Sequence, residues 1–324
     1  MVNKRKKYSP EEKAKIVLEV LREVAIIRFA PPSGWKTGAL NAITPMLLII
    51  LRWEGLQMFK PFYGLTFNPF DKSLPESHAF ESRDFKQMLS RLDYLKNTRG
   101  IGLFTAPPGM GKTFALRCFA KNLNPNLFQI SYICLSTVSV SEFYHQFSLA
   151  LGLDYSSKKT VMFRNIQERL FHLLKEKRKT FILAIDESQY LNAGIFRDIK
   201  MLMNVHFDSL DCFALIFIGQ PYLISILEKP VHESLKQRIV VHYNYEGLSS
   251  DEAKDYIYSR LEAAGGSRNL INEAAVHAVA NFCQGTPRLI NSLMTNALIL
   301  GTQLQKTTID TEIILAASNN LALC

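Results

Sequence analysis

The sequence predicts an α/β chain, with a parallel sheet covered on both faces by helices and a small all-helical portion after it. Three observations carry that prediction. Short apolar strands alternate with amphipathic helices from about residue 100 to 245. The strands are apolar throughout, as they are in sheets buried on both faces. From residue 246 onward only helical patterns remain.

The first 57 residues stand apart. Ser9, Pro10 and Glu12 make a capping box with proline at the first helical position, and Ile16, Val17, Val20 and Leu21 follow as an apolar face, so a helix is expected over 9–23. From 25 to 57 the pattern dissolves around Pro31, Pro32, Ser33 and Gly34.

At Met58 the character changes, with aromatics set between turn residues in "MFKPFYGLTFNPF". Strands are expected over 102–105, 128–135, 181–185, 213–218 and 239–243. Helices are expected over 112–121, 142–151, 162–176 and 196–206. Ser249 and Glu252 form a second capping box before a helix over 253–264, which Gly265 and Gly266 end. Further helices are expected over 273–283, 287–301 and 311–319. The division is an N-terminal extension (1–57), an α/β domain (58–245) and a helical lid (246–324).

With 324 residues and 48% apolar composition, the chain is long enough for a sizeable core, and global disorder is excluded. Five scattered cysteines, with no CxxC pair, imply neither a zinc site nor a disulfide framework. The longest apolar run, around 43–53, falls short of the ~20 residues a membrane helix needs. No secretory leader is evident either, so the expectation is a soluble cytoplasmic protein without membrane insertion. The net charge of +9 divides as +5, +7 and −3 over the three segments. Two readings fit that asymmetry: a polyanionic partner such as DNA, or an ordinary basic surface.

The chemistry concentrates in a few segments. "APPGMGKT", from Ala106 to Thr113, follows the strand "GLFT" and opens a helix, the setting a phosphate-binding loop requires. Gly109 and Gly111 let the backbone of Ala106, Pro107, Pro108, Gly109, Met110, Gly111, Lys112, Thr113 and Phe114 curl around an anion. Lys112 then reaches the terminal phosphates, and the Thr113 hydroxyl is placed to ligate Mg²⁺. "FILAIDE" ends a buried-type strand in two acids. There a carboxylate is costly unless a metal or partner satisfies it. Asp186 suits Mg²⁺, and Glu187 suits the orienting and polarising of an attacking water.

Three further residues have two readings each. Gln220, ending the strand "ALIFIG", either faces the terminal phosphate and the water or caps the next helix. Arg238, before the last strand, either reaches a neighbouring subunit's site or makes a surface ion pair. Arg288, opening a lid helix, either folds onto the phosphates or is an ordinary helix-start residue, where a cation is electrostatically unhelpful. Phe67, Pro69 and Phe70 either wall an adenine pocket or plug a core. Lys175, Lys177, Arg178 and Lys179 form a basic cluster that is either a solvated helix end or a DNA contact.

Taken together, "FYGLTFNPF", "GMGKT", "IDESQYL", "FIGQP", "LKQRI" and "GTPRLIN" resemble an AAA+ ATPase of the family that includes general secretion pathway protein A and the ATPase subunits of bacterial transposons. Ala106 stands at the loop's usual first glycine, and Ser188 at the usual alanine after the acidic pair. The resemblance implies a three-layer P-loop sandwich with sheet order 5-1-4-3-2, a helical lid, ATP with Mg²⁺, and nucleotide at the interfaces of a homo-oligomeric ring or filament. It assigns Gln220 as first sensor, Arg238 as the arginine acting in trans and Arg288 as second sensor.

Within that family the chain lacks the membrane segment of secretion members, which favours a transposition accessory ATPase that binds double-stranded DNA and a transposase. The alternative is a secretion or envelope-assembly ATPase acting on protein partners. "KRKKYSPEEKAKIVLEVLRE" also resembles the opening helix of insertion-sequence transposases, so residues 1–57 are expected to be a fragment joined to an ATPase beginning at Met58.

Overall fold

Five strands, β1 (Gly100–Thr105), β2 (Phe128–Ile133), β3 (Thr180–Ile185), β4 (Phe213–Gly219) and β5 (Ile239–Asn244), pair in parallel in the order β2-β3-β4-β1-β5. This is the expected 5-1-4-3-2 arrangement read from its other edge. The computed structural model describes residues 59–207 and 209–321, all within the unit Met58–Cys324. The helix expected over 9–23, the segment 25–57 and Cys324 lie outside the described residues.

Helices α1 (Arg83–Thr98), α2 (Lys112–Asn122), α3 (Val140–Ala150), α4 (Lys159–Lys175), α5 (Ala193–Met203), α6 (Tyr222–Leu227) and α7 (Glu233–Lys236) surround the sheet. Beyond β5 follow α8 (Ser250–Ala263), α9 (Glu273–Cys283), α10 (Pro287–Gln303) and α11 (Thr311–Leu321).

The central strands β1, β3 and β4 are buried along their whole length. Their side chains still alternate between two cores. Phe181, Leu183 and Ile185 pack with Phe143 and Phe147 of α3, Ile166 of α4 and Ile199 of α5 on one face. Ile182 and Ala184 pack with Met88 and Leu92 of α1 and Leu116 and Phe119 of α2 on the other. Period-two alternation with both faces apolar is why these strands read as continuous hydrophobic runs.

The lid has a third core, built by α8 to α11. Phe59, Leu65 and Phe70 belong to it, with Phe67 packed against it. Of the two readings of this aromatic segment, Phe70 therefore fulfils the core role. Helix α8 starts at the expected capping box. It ends with Gly266 N–H donating to Leu261 O at 2.9 Å and Gly265 N–H to Glu262 O at 2.9 Å. That is the paired C-terminal closure a left-handed glycine permits, and Gly265 has φ +83°.

Boundaries differ from the expected ones by up to three residues at several elements. Strand β2 stops at Ile133 rather than 135, because the chain turns into the Ser139–Glu142 capping box that opens α3. Helix α5 stops at Met203 rather than 206, where Asn204 leaves helical geometry. Helix α1 was not anticipated: its buried Met88, Leu92 and Leu95 make one narrow stripe among charges.

Helix α1 also fixes the connection from the sheet to the lid. Asp84 is buried and accepts from Tyr243 Oη at 2.6 Å, Gly247 N at 2.8 Å and Glu246 N at 3.1 Å. Burial, and then the Asp84 carboxylate, push the Tyr243 phenol above its ordinary range. Asp84→Ala strands three donors in a poorly solvated place, so it is expected to cost about 3 kcal/mol of stability. Urea denaturation checks this, and a loss below about 1 kcal/mol would contradict the assigned role.

Candidate nucleotide-binding site

The loop after β1 and the acidic end of β3 meet at the carboxyl edge of the sheet, because β1 and β3 flank β4 in parallel. Ala106 N–H donates to Gly219 O at 3.1 Å, fastening the loop's first residue to the end of β4. Gly109 and Gly111 have φ of +87° and +90°, a region that strains side-chain-bearing residues. Gly111 is also the N-cap of α2, with no side chain capping the helix. Its first amides are thus left for an anion, in the positive field of the helix start.

Lys112 is buried, and its Nζ donates to Ala106 O at 2.8 Å and Pro107 O at 3.1 Å. Burial draws its pKa below the ordinary lysine value, while the nearby Glu187 and Asp186 carboxylates oppose that shift. The ammonium sits among loop carbonyls that phosphate oxygens can replace as acceptors. Thr113 Oγ1 donates to Asp186 Oδ2 at 2.8 Å. A hydroxyl and a carboxylate so close supply the hard oxygen donors that Mg²⁺ prefers. Among the described residues no cluster of three or more His, Cys, Asp or Glu could hold a metal without such help.

Two partners in this edge escaped the sequence reading. Tyr132, near the end of β2, donates its hydroxyl to Asp186 Oδ2 at 2.7 Å. Burial, then the Asp186 carboxylate, push that phenol well above its ordinary range. Gln189, on the turn Ser188–Tyr190, donates to Glu187 Oε2 at 2.5 Å. The apposition of β2 and β3 brings Tyr132 to Asp186, whereas Gln189 stands only two residues from Glu187. Nothing in the local spacing of Tyr132 marks it, whereas Gln189 lies inside the "IDESQYL" segment.

The three residues with two readings fall out differently. Arg288 N–H donates to Gly109 O at 3.2 Å, and a Cβ on Gly109 would lie 2.8 Å from Arg288 Cβ. The lid helix therefore starts directly on the loop. Gln220 follows β4; its N–H donates to Gln189 Oε1 at 3.1 Å, and its carbonyl accepts from Leu223 N at 2.9 Å. No side chain caps α6. Arg238 sits at the opposite edge of the sheet. Its carbonyl accepts from Ile101 N, at the start of β1, so about 16 Å of strand separates it from the loop of its own chain. Its side chain pairs with Asp211 at 3.6 Å and is 17% exposed. Lys175, Lys177 and Arg178 are exposed before β3 at this same far edge, and Lys179 is half-buried.

This site places a glycine loop, a buried lysine and a strand-end acidic pair as nucleotide-hydrolysing sheets do. Residues 95–227 match the family model for the AAA domain. Over that span the chain is similar to the AAA domain family.

Relatives and solved structures agree. The chain is 29% identical to general secretion pathway protein A of Aeromonas hydrophila over 247 residues, covering 75% of this chain and 44% of that protein. It is 28% identical to the ATP-dependent target DNA activator B of Escherichia phage Mu over 131 residues, 40% of this chain and 39% of that one. The chain thus spans less than half the length of either relative. The AAA fold superposes on Cdc6p from Pyrobaculum aerophilum with a TM-score of 0.60 at 16% identity, covering 78% of this chain and 70% of that chain. It superposes on the RuvB branch migration motor of Thermotoga maritima with a TM-score of 0.51 at 19% identity, covering 78% and 73%. Among the described residues, no helix is long and apolar enough to cross a membrane.

Proposed function

We propose that the chain binds ATP with Mg²⁺ and hydrolyses it, and that nucleotide controls its assembly into a homo-oligomer on double-stranded DNA alongside a transposase, in the cytoplasm. The observation that carries the ATPase reading is the convergence of Lys112, Thr113, Asp186, Glu187 and Arg288 on one edge of the sheet. The amides of residues 106–114 cradle the phosphates, and Lys112 leaves its loop carbonyls for the terminal phosphate oxygens. Thr113 and Asp186 would hold Mg²⁺, which would supply positive charge against the phosphates. Glu187 orients the attacking water and draws on its proton. Gln220 approaches the terminal phosphate from the end of β4, and Arg288 reports nucleotide to the lid.

Arg238 cannot serve its own loop from the far edge, so it completes the site of a neighbouring subunit. There it adds positive charge as negative charge spreads over the transferring phosphoryl group. Bound ATP then favours contacts between subunits, because it binds the assembled form better.

The DNA role is supported by the similarity to the phage protein, whose name makes it an activator of target DNA, and by the +9 net charge. The competing secretion-type role, with protein partners, is favoured by the longer alignment, over 247 residues. Hydrolysis measured with and without duplex DNA over a salt series separates them. DNA stimulation that fades as salt rises is expected, since phosphate contacts release counterions. Turnover indifferent to DNA at every salt concentration would shift the assignment to the protein-directed role.

A further inference from the structure

Gln189 is more than nine-tenths buried, yet its amide spans two chemically different groups. Its Nε2 donates to Glu187 Oε2 at 2.5 Å, and its Oε1 accepts from Gln220 N at 3.1 Å. The orientation of the amide is forced: a backbone N–H can only donate, so the oxygen must face Gln220 and the nitrogen must face the carboxylate. The amide satisfies both ends without any change of protonation.

The surroundings are shaped for that bridge. A Cβ on Gly219 would lie 2.7 Å from Gln189 Oε1, so the last residue of β4 must be small for the side chain to pass. Glu187 itself has φ +49° and ψ +39°, a left-handed conformation for a residue with a side chain. It is held there by Ser136 Oγ donating to Glu187 O at 3.0 Å and by Glu187 N–H donating to Asp186 Oδ1 at 2.9 Å. The backbone turns the carboxylate out, and Gln189 draws it over the end of β4. Because β4 runs between β3 and β1, that is the gap between the acidic pair and the phosphate loop.

We propose that Gln189 is the positioning residue for Glu187, fixing its carboxylate over the end of β4 and joining it to the backbone of Gln220, so that the water-orienting group and the first-sensor strand move as one. This rests on the hydrolytic reading above. Both ends of its amide are engaged by protein groups, Glu187 and the Gln220 amide, so Gln189 acts through Glu187.

The test uses the full chain with Gln189→Met, close in volume with neither donor nor acceptor, and Gln189→Glu, which keeps the acceptor for Gln220 but loses the donor to Glu187. Both are expected to lower kcat about 10- to 100-fold, the scale on which a small misplacement of a reacting group acts. Affinity for a non-hydrolysable ATP analogue should stay within about threefold, since none of the phosphate-binding groups changes. In a Glu187→Gln background, adding Gln189→Met should cause no further loss, because a positioning residue has nothing left to position. Wild-type kcat in both single variants, or the same fold loss with and without Glu187, would overturn the proposal. So would a loss confined to analogue affinity. A wild-type chain that neither binds nor hydrolyses ATP would instead overturn the parent reading.

Discussion

Glu187→Gln is expected to bind ATP as the parent does and to turn it over about 10²- to 10⁴-fold more slowly, the usual contribution of a positioned general base. The substitution preserves volume and hydrogen-bonding length. It removes the negative charge and the second acceptor oxygen with which Glu187 would polarise water. Lys112→Ala is expected to fail one step earlier. That lysine is buried, with its ammonium held by the carbonyls of Ala106 and Pro107 at the mouth of α2. Removing it withdraws the one side-chain cation rooted in the loop itself, so analogue binding should fall below detection at micromolar nucleotide. The two variants together separate binding from chemistry. Equilibrium binding of a fluorescent ATP analogue and steady-state phosphate release supply the two readouts. Unchanged turnover in Glu187→Gln would mean that another group handles the water. Full analogue binding by Lys112→Ala would remove the loop from the nucleotide site.

Much of this arrangement was legible because it is local. The loop is contiguous, its glycines announce left-handed backbone, and the acids end a strand whose apolar run is itself the signal of burial on both faces. The sheet order came from resemblance rather than from any pattern of residues, and the strand pairing agrees with it.

Contacts between segments distant in sequence were not legible. Tyr132 and Asp186 meet only because β2 lies beside β3, and Gln189 reaches Gln220 only because β4 is the next strand. Helix α1 was missed for a different reason. Arg83, Asp84, Lys86, Arg91, Asp93 and Lys96 surround its apolar stripe, so composition masks a periodicity that Met88, Leu92 and Leu95 do carry. Arg288 was read from the cost of a cation at a helix start. The structure adds a contact that does not depend on the side chain: the backbone amide of Arg288 is the lid's hydrogen bond to Gly109.

That lid contact leads to the second large effect, at Gly285→Ala. Gly285 has φ +72°, and a Cβ there would lie 2.3 Å from Leu248 O and 2.9 Å from Leu248 N. Both clashing atoms are backbone, and the same pair of residues is joined by Leu248 N–H donating to Gly285 O at 2.9 Å. No side-chain rotation can relieve the clash. Either the α9–α10 turn moves away from the β5–α8 connection or the hydrogen bond breaks. A left-handed conformation forced on alanine adds about 1 kcal/mol of its own, so a total loss above about 3 kcal/mol is expected in chemical denaturation.

The effect should extend to the site, because Gly285 lies three residues before Arg288. Shifting the turn draws α10 off the phosphate loop, and nucleotide affinity should fall together with stability. Arg288→Ala separates the two consequences. It removes the guanidinium but leaves the amide bond to Gly109 and the turn intact, so it should weaken nucleotide binding at nearly full stability. If Gly285→Ala lost stability but bound the analogue as tightly as the parent, the lid would not be coupled to the loop through this turn. If Arg288→Ala alone matched its loss of affinity, the guanidinium rather than the docking of α10 would account for the coupling.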